Sequence, residues 1–264
     1  MWQIYSLTYM LLDDARLKID RAKKHIEDIK ARVSGLSDRY VGTIEKNPHV
    51  GNEVIKYVAD DKPILTELAL VIGDAIHNQK SALDYAWYRT IEKRLPSKIS
   101  DHTSFPVRET QKQLEEALRG IHVDVQCPDL FDLMVTQIRP FEGGNDLLHD
   151  LHRLNILDKH KLLIPLAHYI GIHDIFMEDE SGEVQPPSLA WGVTQNPPFY
   201  VELPLGWRVK NKGKITVSIV FDEEAKAPIS DVIDTLNYFS LTVLNTIELL
   251  ERAAYKALIG RATA

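Results

Sequence analysis

Two stretches of this chain place acids, imidazoles and amines where a packed helix would carry leucine. The first is Gly73-Asp74-Ala75-Ile76-His77-Asn78-Gln79-Lys80-Ser81-Ala82-Leu83-Asp84. Leu70, Asp74, His77, Ser81, Asp84 and Tyr88 advance by alternating steps of four and three, so on a helix they share one face. The second stretch runs from Leu147 to Leu163, where Leu148, Leu151, Asn155, Asp158 and Leu162 set an amide and a carboxylate into an apolar seam. A buried polar group left unpaired costs about 1–3 kcal/mol. If both stripes face inward they must satisfy each other or a ligand, and Asp74, His77 or Asp84 is expected to reach Asn155, Asp158 or a neighbouring cation. Imidazole, carboxylate, hydroxyl and amine are the groups that transfer protons or bind metals. The same groups also build structural networks that fix the register of a bundle.

The region from His149 to Lys161 suggests a second kind of chemistry. At about 100° per residue, Arg153 and His160 are nearly two turns apart and share a face, with His149 one turn earlier. A guanidinium binds a phosphodiester as a bidentate donor, and an imidazole gives or takes a proton near neutral pH. Read more simply, Lys159, His160 and Lys161 form a solvated face that complements the helix dipole.

An Arg followed after a short gap by His on a bundle helix, here Arg153 and His160 with six residues between, is similar to the signature of the HEPN superfamily. These helical proteins include metal-independent RNases of toxin, CRISPR and phage-defence systems. In a second alignment Asn155 takes the first place, with four residues before His160. The resemblance implies a ribonuclease of a defence or toxin system in which His160 is catalytic and Arg153 or Asn155 positions the scissile phosphate. RNA would be its partner, bound in a cleft between the protomers of a homodimer. Leu154 stands where active members carry a polar residue.

A second resemblance spans residues 68 to 163. Asp74-x-x-His77-Asn78-x-Lys80-Ser81-Ala82-Leu83-Asp84, then Phe105-Pro106, then Asp158-Lys159-His160-Lys161, is similar to a widespread family of uncharacterised bacterial and phage-borne proteins. That pattern carries Arg at positions 80 and 161 and His at 85, where this chain has Lys80, Lys161 and Tyr85. Asp74, His77, Asn78, Lys80, Ser81, Asp84, Asp158 and Lys159 thus form the expected polar support of the site.

Two other functions compete with the RNase. Asp74-x-x-His77 resembles the carboxylate-x-x-His spacing of di-metal bundle sites, with Asp84, Asp158, His149 or His152 to complete the shell of a hydrolase. The first and last helices place no Glu or Asp in their seams, so the expectation is no bound metal or other cofactor. The non-enzymatic rival is a bundle with a structural polar core, binding a protein partner through a β insertion.

Composition narrows the classes. A net charge of −7 over 264 residues argues against salt-driven coating of nucleic acid, though a local basic strip suffices for a short RNA. The single Cys127 excludes an internal disulfide and a multi-cysteine zinc site, which fits a reducing, cytoplasmic compartment. No glycine-rich phosphate loop, Gly-x-Ser-x-Gly elbow or dinucleotide fingerprint is present. Met1 to Leu12 is apolar but lacks a basic leader and runs into Asp13-Asp14, so it reads as the first turns of a helix. No stretch reaches about 18 consecutive apolar residues, and no membrane span is expected.

The elements that position these residues follow from periodicity. Leu12, Ala15, Ile19, Ala22, Ile26, Ile29 and Val33 predict a long first helix ending near Gly35. Tyr40 to Ile44 and Glu53 to Val58 read as a hairpin, and Pro63 opens a helix that runs to about Arg94. Short helices are expected over Arg108 to Arg119 and Asp129 to Gln137. Asn145 or Asp146 caps the helix that carries the second stripe. Tyr169 to Met177, Leu189 to Val193, Phe199 to Leu203 and Lys214 to Phe221 read as strands of one antiparallel sheet, with Trp191, Phe199, Tyr200 and Trp207 packing its core. A last helix follows Asp231 with the apolar seam Val232, Leu236, Phe239, Val243, Ile247 and Leu250. The predicted fold class is α+β with a dominant helical bundle, an N-terminal β-hairpin and an antiparallel β insertion. The chain is expected to be one domain, residues 1–264, with the bundle over 1–166 and 228–260 and the insertion over 167–222.

Overall fold

The computed structural model describes residues 12–58, 62–100, 103–161, 166–185, 191–193, 198–221 and 231–262. The fold is α+β and helix-dominated. The chain divides into two compact units, one of Met1–Glu27, Val71–Ile164 and Asp234–Ala264, the other of Asp28–Leu70 and Pro165–Ile233.

The helical unit takes the first turns of α1 (Asp13–Ser34) and most of α2 (Lys62–Arg94). It continues with α3 (Gln111–Gly120), α4 (Val123–Gln126), α5 (Pro128–Asp132) and α6 (Asp146–Lys161), and closes with α7 (Val232–Ala262). The α1 seam from Leu12 to Ile29 and the α7 seam from Val232 to Leu250 are buried along their length, as the 3.6-residue period requires. The expected turns over Met1 to Leu11 lie outside the described residues. Polar ties supplement the apolar packing. Arg16 forks onto Glu251 (Nη1–Oε1 3.1 Å, Nη2–Oε2 2.7 Å), joining α1 to α7. The fully buried Gln79 of α2 donates from Nε2 to the Leu236 carbonyl (2.7 Å) and to Ser240 Oγ (2.9 Å) of α7. Cys127 is buried, with Sγ 3.8 Å from the Arg94 carbonyl.

Caps set the helix starts. Thr110 and Gln113 form a capping box, so α3 begins at Gln111 rather than at Arg108. Asn145 Oδ1 accepts the Leu148 amide (3.3 Å) and is the cap of α6. Asp231 Oδ1 accepts the Ile233 amide (2.8 Å) ahead of α7. The helix expected over Asp129 to Gln137 is α5 continued by a π-helical turn, Leu133–Ile138, which Arg139 ends in the left-handed region (φ 53°).

The β unit holds the expected hairpin and antiparallel insertion. β1 (Val41–Lys46) pairs antiparallel with β2 (Glu53–Val58), matching Val41 with Val58 and Lys46 with Glu53. β2 then pairs with β7 (Phe199–Glu202), so the hairpin and the insertion share a sheet within one compact unit. A second sheet orders β6 (Trp191–Val193), β3 (Leu166–His173) and β9 (Lys214–Phe221). A third orders β5 (Val184–Gln185), β4 (Met177–Glu178) and β8 (Arg208–Val209). The run expected as one strand from Tyr169 to Met177 breaks at Asp174, whose φ of 58° no strand sustains. Ile55, Tyr57, Ile170, Ile172 and Ile219 are buried here. Burial pushes the Tyr57 phenol up to about 12 while its hydroxyl donates to the Lys212 carbonyl (2.6 Å). Tyr200 is 54% exposed and Trp207 half-buried, so neither is a sealed core aromatic. Among the described residues, no helix is long and apolar enough to cross a membrane.

Candidate functional site

The buried row of α2 is Ile72, Ile76, Gln79, Leu83, Ala86 and Thr90, all at 0% exposure. Leu70, Asp74 and His77 lie on the opposite side and are exposed, while Ser81, Asp84 and Tyr88 are half-buried. The expectation that this stripe faces inward is therefore corrected. The six residues do share a face, but the row on the opposite side carries more apolar area and takes the core. Asn78 turns its amide back to the Asp74 carbonyl (2.7 Å), and Ser81 Oγ lies 3.4 Å from His77 Nε2.

The flank between those two faces is where α6 approaches. Gly73 is fully enclosed there, and a Cβ at that position would overlap the Asp158 carboxylate, sitting 2.9 Å from its Cγ. Burial raises the Asp158 pKa, and the neighbouring Asp74 raises it further, against His77 and Lys159. The two stretches thus meet, through Asp158 on one side and Gly73 and Asp74 of α2 on the other.

Two turns further along α2, Lys80 is 5% exposed and its Nζ pairs with Asp84 Oδ1. The same carboxylate oxygen accepts the Phe105 amide (2.9 Å). Burial lowers the Lys80 pKa despite Asp84, and Lys159 adds to the lowering. His152 of α6 lies in the field of this pair. Burial first, and Lys80 second, bring its pKa down to about 4, so the imidazole is neutral at neutral pH. Its Nδ1 and the Oδ1 of the buried Asn155 are both enclosed without a hydrogen-bond partner. The polar seam from Asp158 through Asn155 and His152 to Lys80 and Asp84 therefore holds both satisfied and unsatisfied groups. The sequence suggests His152 only as a metal ligand, although its place one turn before Asn155 puts it on the same flank.

Arg153 and His160 occupy the other side of α6. Leu151, Leu154 and Asn155 are buried, whereas Ile156 and His160 are exposed and Arg153 is half-buried. Arg153 Nη2 donates to Asp150 Oδ1 (3.3 Å). The third member of the basic strip, His149, is buried with Nε2 3.3 Å from Glu109 Oε2, so it does not extend the exposed face. Lys159 is exposed beside His160, the Lys161 side chain lies outside the described residues, and so does Leu162 of the second stripe. Among the described residues no three His, Cys, Asp or Glu side chains group as a metal ion would need, which leaves the Asp74/His77 pair without a third ligand. Comparison of the chain with protein-family models, with curated proteins and with solved structures gives no match.

Two predictions follow from this geometry. Between pH 6.5 and about 4 the folded state binds fewer protons at His152 than the unfolded chain, so ∂ΔG/∂pH is positive there. Stability contributed by the neutral imidazole is complete above pH 6.5 and is lost as pH falls through about 4. Chemical denaturation across this range is expected to show that slope for the wild type and a shallower one for His152→Phe; equal slopes would show that the imidazole is not responsible. At Gly73, alanine would ordinarily stabilise a helix interior by roughly 0.5–1 kcal/mol. Here Gly73→Ala is expected to destabilise the wild type and to become neutral or stabilising once Asp158→Ala removes the overlap. Additive effects in that double-mutant cycle would separate the two side chains.

Proposed function

We propose that this protein is a metal-independent ribonuclease of the HEPN type, acting in a bacterial or phage defence or toxin system in the cytoplasm, with Arg153 binding the scissile phosphate and His160 transferring the proton. The observation that supports it is their common outward face on α6, with His160 exposed where an RNA chain could reach it. The alternative alignment through Asn155 has less support, because that amide is 4% exposed and its Oδ1 is enclosed, away from where an RNA phosphate could reach.

In this reading the 2′-hydroxyl of RNA attacks the adjacent phosphorus, and His160 takes the hydroxyl proton. Arg153 turns from Asp150 onto the non-bridging oxygens, and the 5′-oxygen leaves with a proton. The products are a 2′,3′-cyclic phosphate and a 5′-hydroxyl. A homodimer with two α6 faces side by side would supply a second imidazole as the proton donor. The test is single-stranded RNA incubated with the full chain in EDTA. Fragments ending in 2′,3′-cyclic phosphate are expected, whereas cleavage that appears only with a divalent ion would move the assignment to the Asp74/His77 hydrolase. A second reading is favoured by the Lys80, Asp84 and Phe105 network, which is structural in form: a non-enzymatic bundle whose β unit binds a partner. Absence of cleavage for every RNA tested favours that reading.

A further inference from the structure

β1 forms one margin of the sheet that orders β1, β2 and β7, and among the described residues no strand pairs with its outer side. Strand alternation fixes which backbone groups stand there. The Asn47 amide donates to the Asn52 carbonyl (2.9 Å), so the odd-numbered residues of β1 bond to β2, and Gly42, Ile44 and Lys46 turn their N–H and C=O groups outward. Edge strands are commonly blunted by a proline, a bulge or charges along their length. β1 pairs with β2 unbroken from Val41 to Lys46 and holds no proline. Its two charges, Glu45 and Lys46, are opposite in sign and sit at one end, where Glu45 is paired with Lys56 (3.6 Å). Val41 is 57% exposed and Ile44 45%, so the edge is open to solvent. Unpaired donors and acceptors in this array are what an added strand satisfies.

A second copy of the chain fits the edge about a twofold axis at Ile44. Antiparallel pairing there sets Ile44 against Ile44 of the second copy, Thr43 against Glu45, Gly42 against Lys46 and Val41 against Asn47. All three outward residues of each copy are then bonded, and no two like charges stand directly opposite. Shape agrees with this register. Glu45, Asn47, Val54, Tyr200 and Glu202 share one face of the sheet and, with Lys46 and Pro48, line a cavity of about 260 Å³. Val41 is on the same face, and in the paired sheet it comes opposite Asn47 of the second copy, at the β1 rim of that cavity; the twofold repeats the contact. We propose that the β1 edge is a self-association surface that joins two copies into one continuous antiparallel sheet. So short a strand gives an interface at the small end of the range, and association that depends on concentration. The proposal is separate from the ribonuclease reading and from the pairing of α6 faces, since it concerns the other unit of the chain.

The experiment is sedimentation equilibrium of the full chain from micromolar to submillimolar concentration, where the average mass is expected to rise toward twice that of the monomer. Ile44→Pro should weaken association at least about tenfold and leave the monomer folded, because the Ile44 N–H faces away from β2. Circular dichroism checks the fold. A second variant keeps the strand intact. Ile44→Cys should form a covalent dimer under mild oxidation, since facing residues of a hydrogen-bonded pair lie about 5.5 Å apart, within disulfide reach, and the native Cys127 is buried. Val58→Cys, at a position 38% exposed but on the inner strand β2, should cross-link about tenfold more slowly. The proposal is overturned by a wild type that stays monomeric throughout, which would leave the edge to a foreign strand, by Ile44→Pro associating as strongly as wild type, or by equal cross-linking of the two cysteine variants.

Discussion

His160→Ala is expected to lower the rate of RNA cleavage in EDTA by about 10²- to 10⁴-fold, the range for losing a general acid or base. The side chain is exposed on α6, so the variant should fold with wild-type stability. Arg153→Ala should be nearly as damaging, whereas Arg153→Lys, which keeps the charge but loses the bidentate fork, should recover part of the rate. Single-turnover cleavage of a labelled single-stranded RNA by all three variants checks this. Retention of wild-type rate by His160→Ala would remove the imidazole from the chemistry, and with it the ribonuclease assignment made through this pair.

The second large effect is on stability. Asp84→Ala should destabilise the protein by about 2–4 kcal/mol, because it leaves the Lys80 ammonium buried without its counter-charge and the Phe105 amide without its acceptor. The figure is set below the cost of breaking a sealed pair, since the Asp84 side chain is 35% exposed and water can partly replace it. A drop in melting temperature of about 5–15 °C is expected. Lys80→Met keeps the aliphatic stem and removes the charge, so it should cost much less, and adding it to Asp84→Ala should restore much of the loss. Equal melting temperatures for Asp84→Ala and wild type would show that the pair is not enclosed in solution.

Elements with one strong period were legible from the chain. The seams of α1 and α7, the β1–β2 hairpin and the cap at Asn145 depend on neighbours within a turn or two, and the structure reproduces them with shifts of a few residues. What periodicity could not supply was direction. It placed Leu70, Asp74, His77 and Ser81 on one face correctly, but α2 carries an apolar row on the opposite side, and the choice between them depends on what packs against the helix. Gln79 shows the difference: its amide looks out of place among Ile72, Ile76 and Leu83 until its acceptors on α7, 157 and 161 residues away, are known. The pairing of β2 with β7 was hidden for the same reason, because strand alternation marks a strand without naming its partner.

The order of segments in the helical unit also determines when it can form. α1 and α2 precede most of the β strands in the chain and α7 follows them all, so Arg16 waits 235 residues for Glu251 and Gln79 waits 157 for Leu236. At translation speeds of about 5–20 residues per second, Gln79 spends roughly 8–30 s on the ribosome before its acceptor is synthesised. During that interval the apolar rows of α1 and α2 lack α7, and the strands from Leu166 to Phe221 are still being synthesised, with Phe221 made before α7 begins at Val232. A nascent chain stalled before α7 would therefore present these rows to chaperones, and slow codons ahead of Val232 would lengthen that exposure.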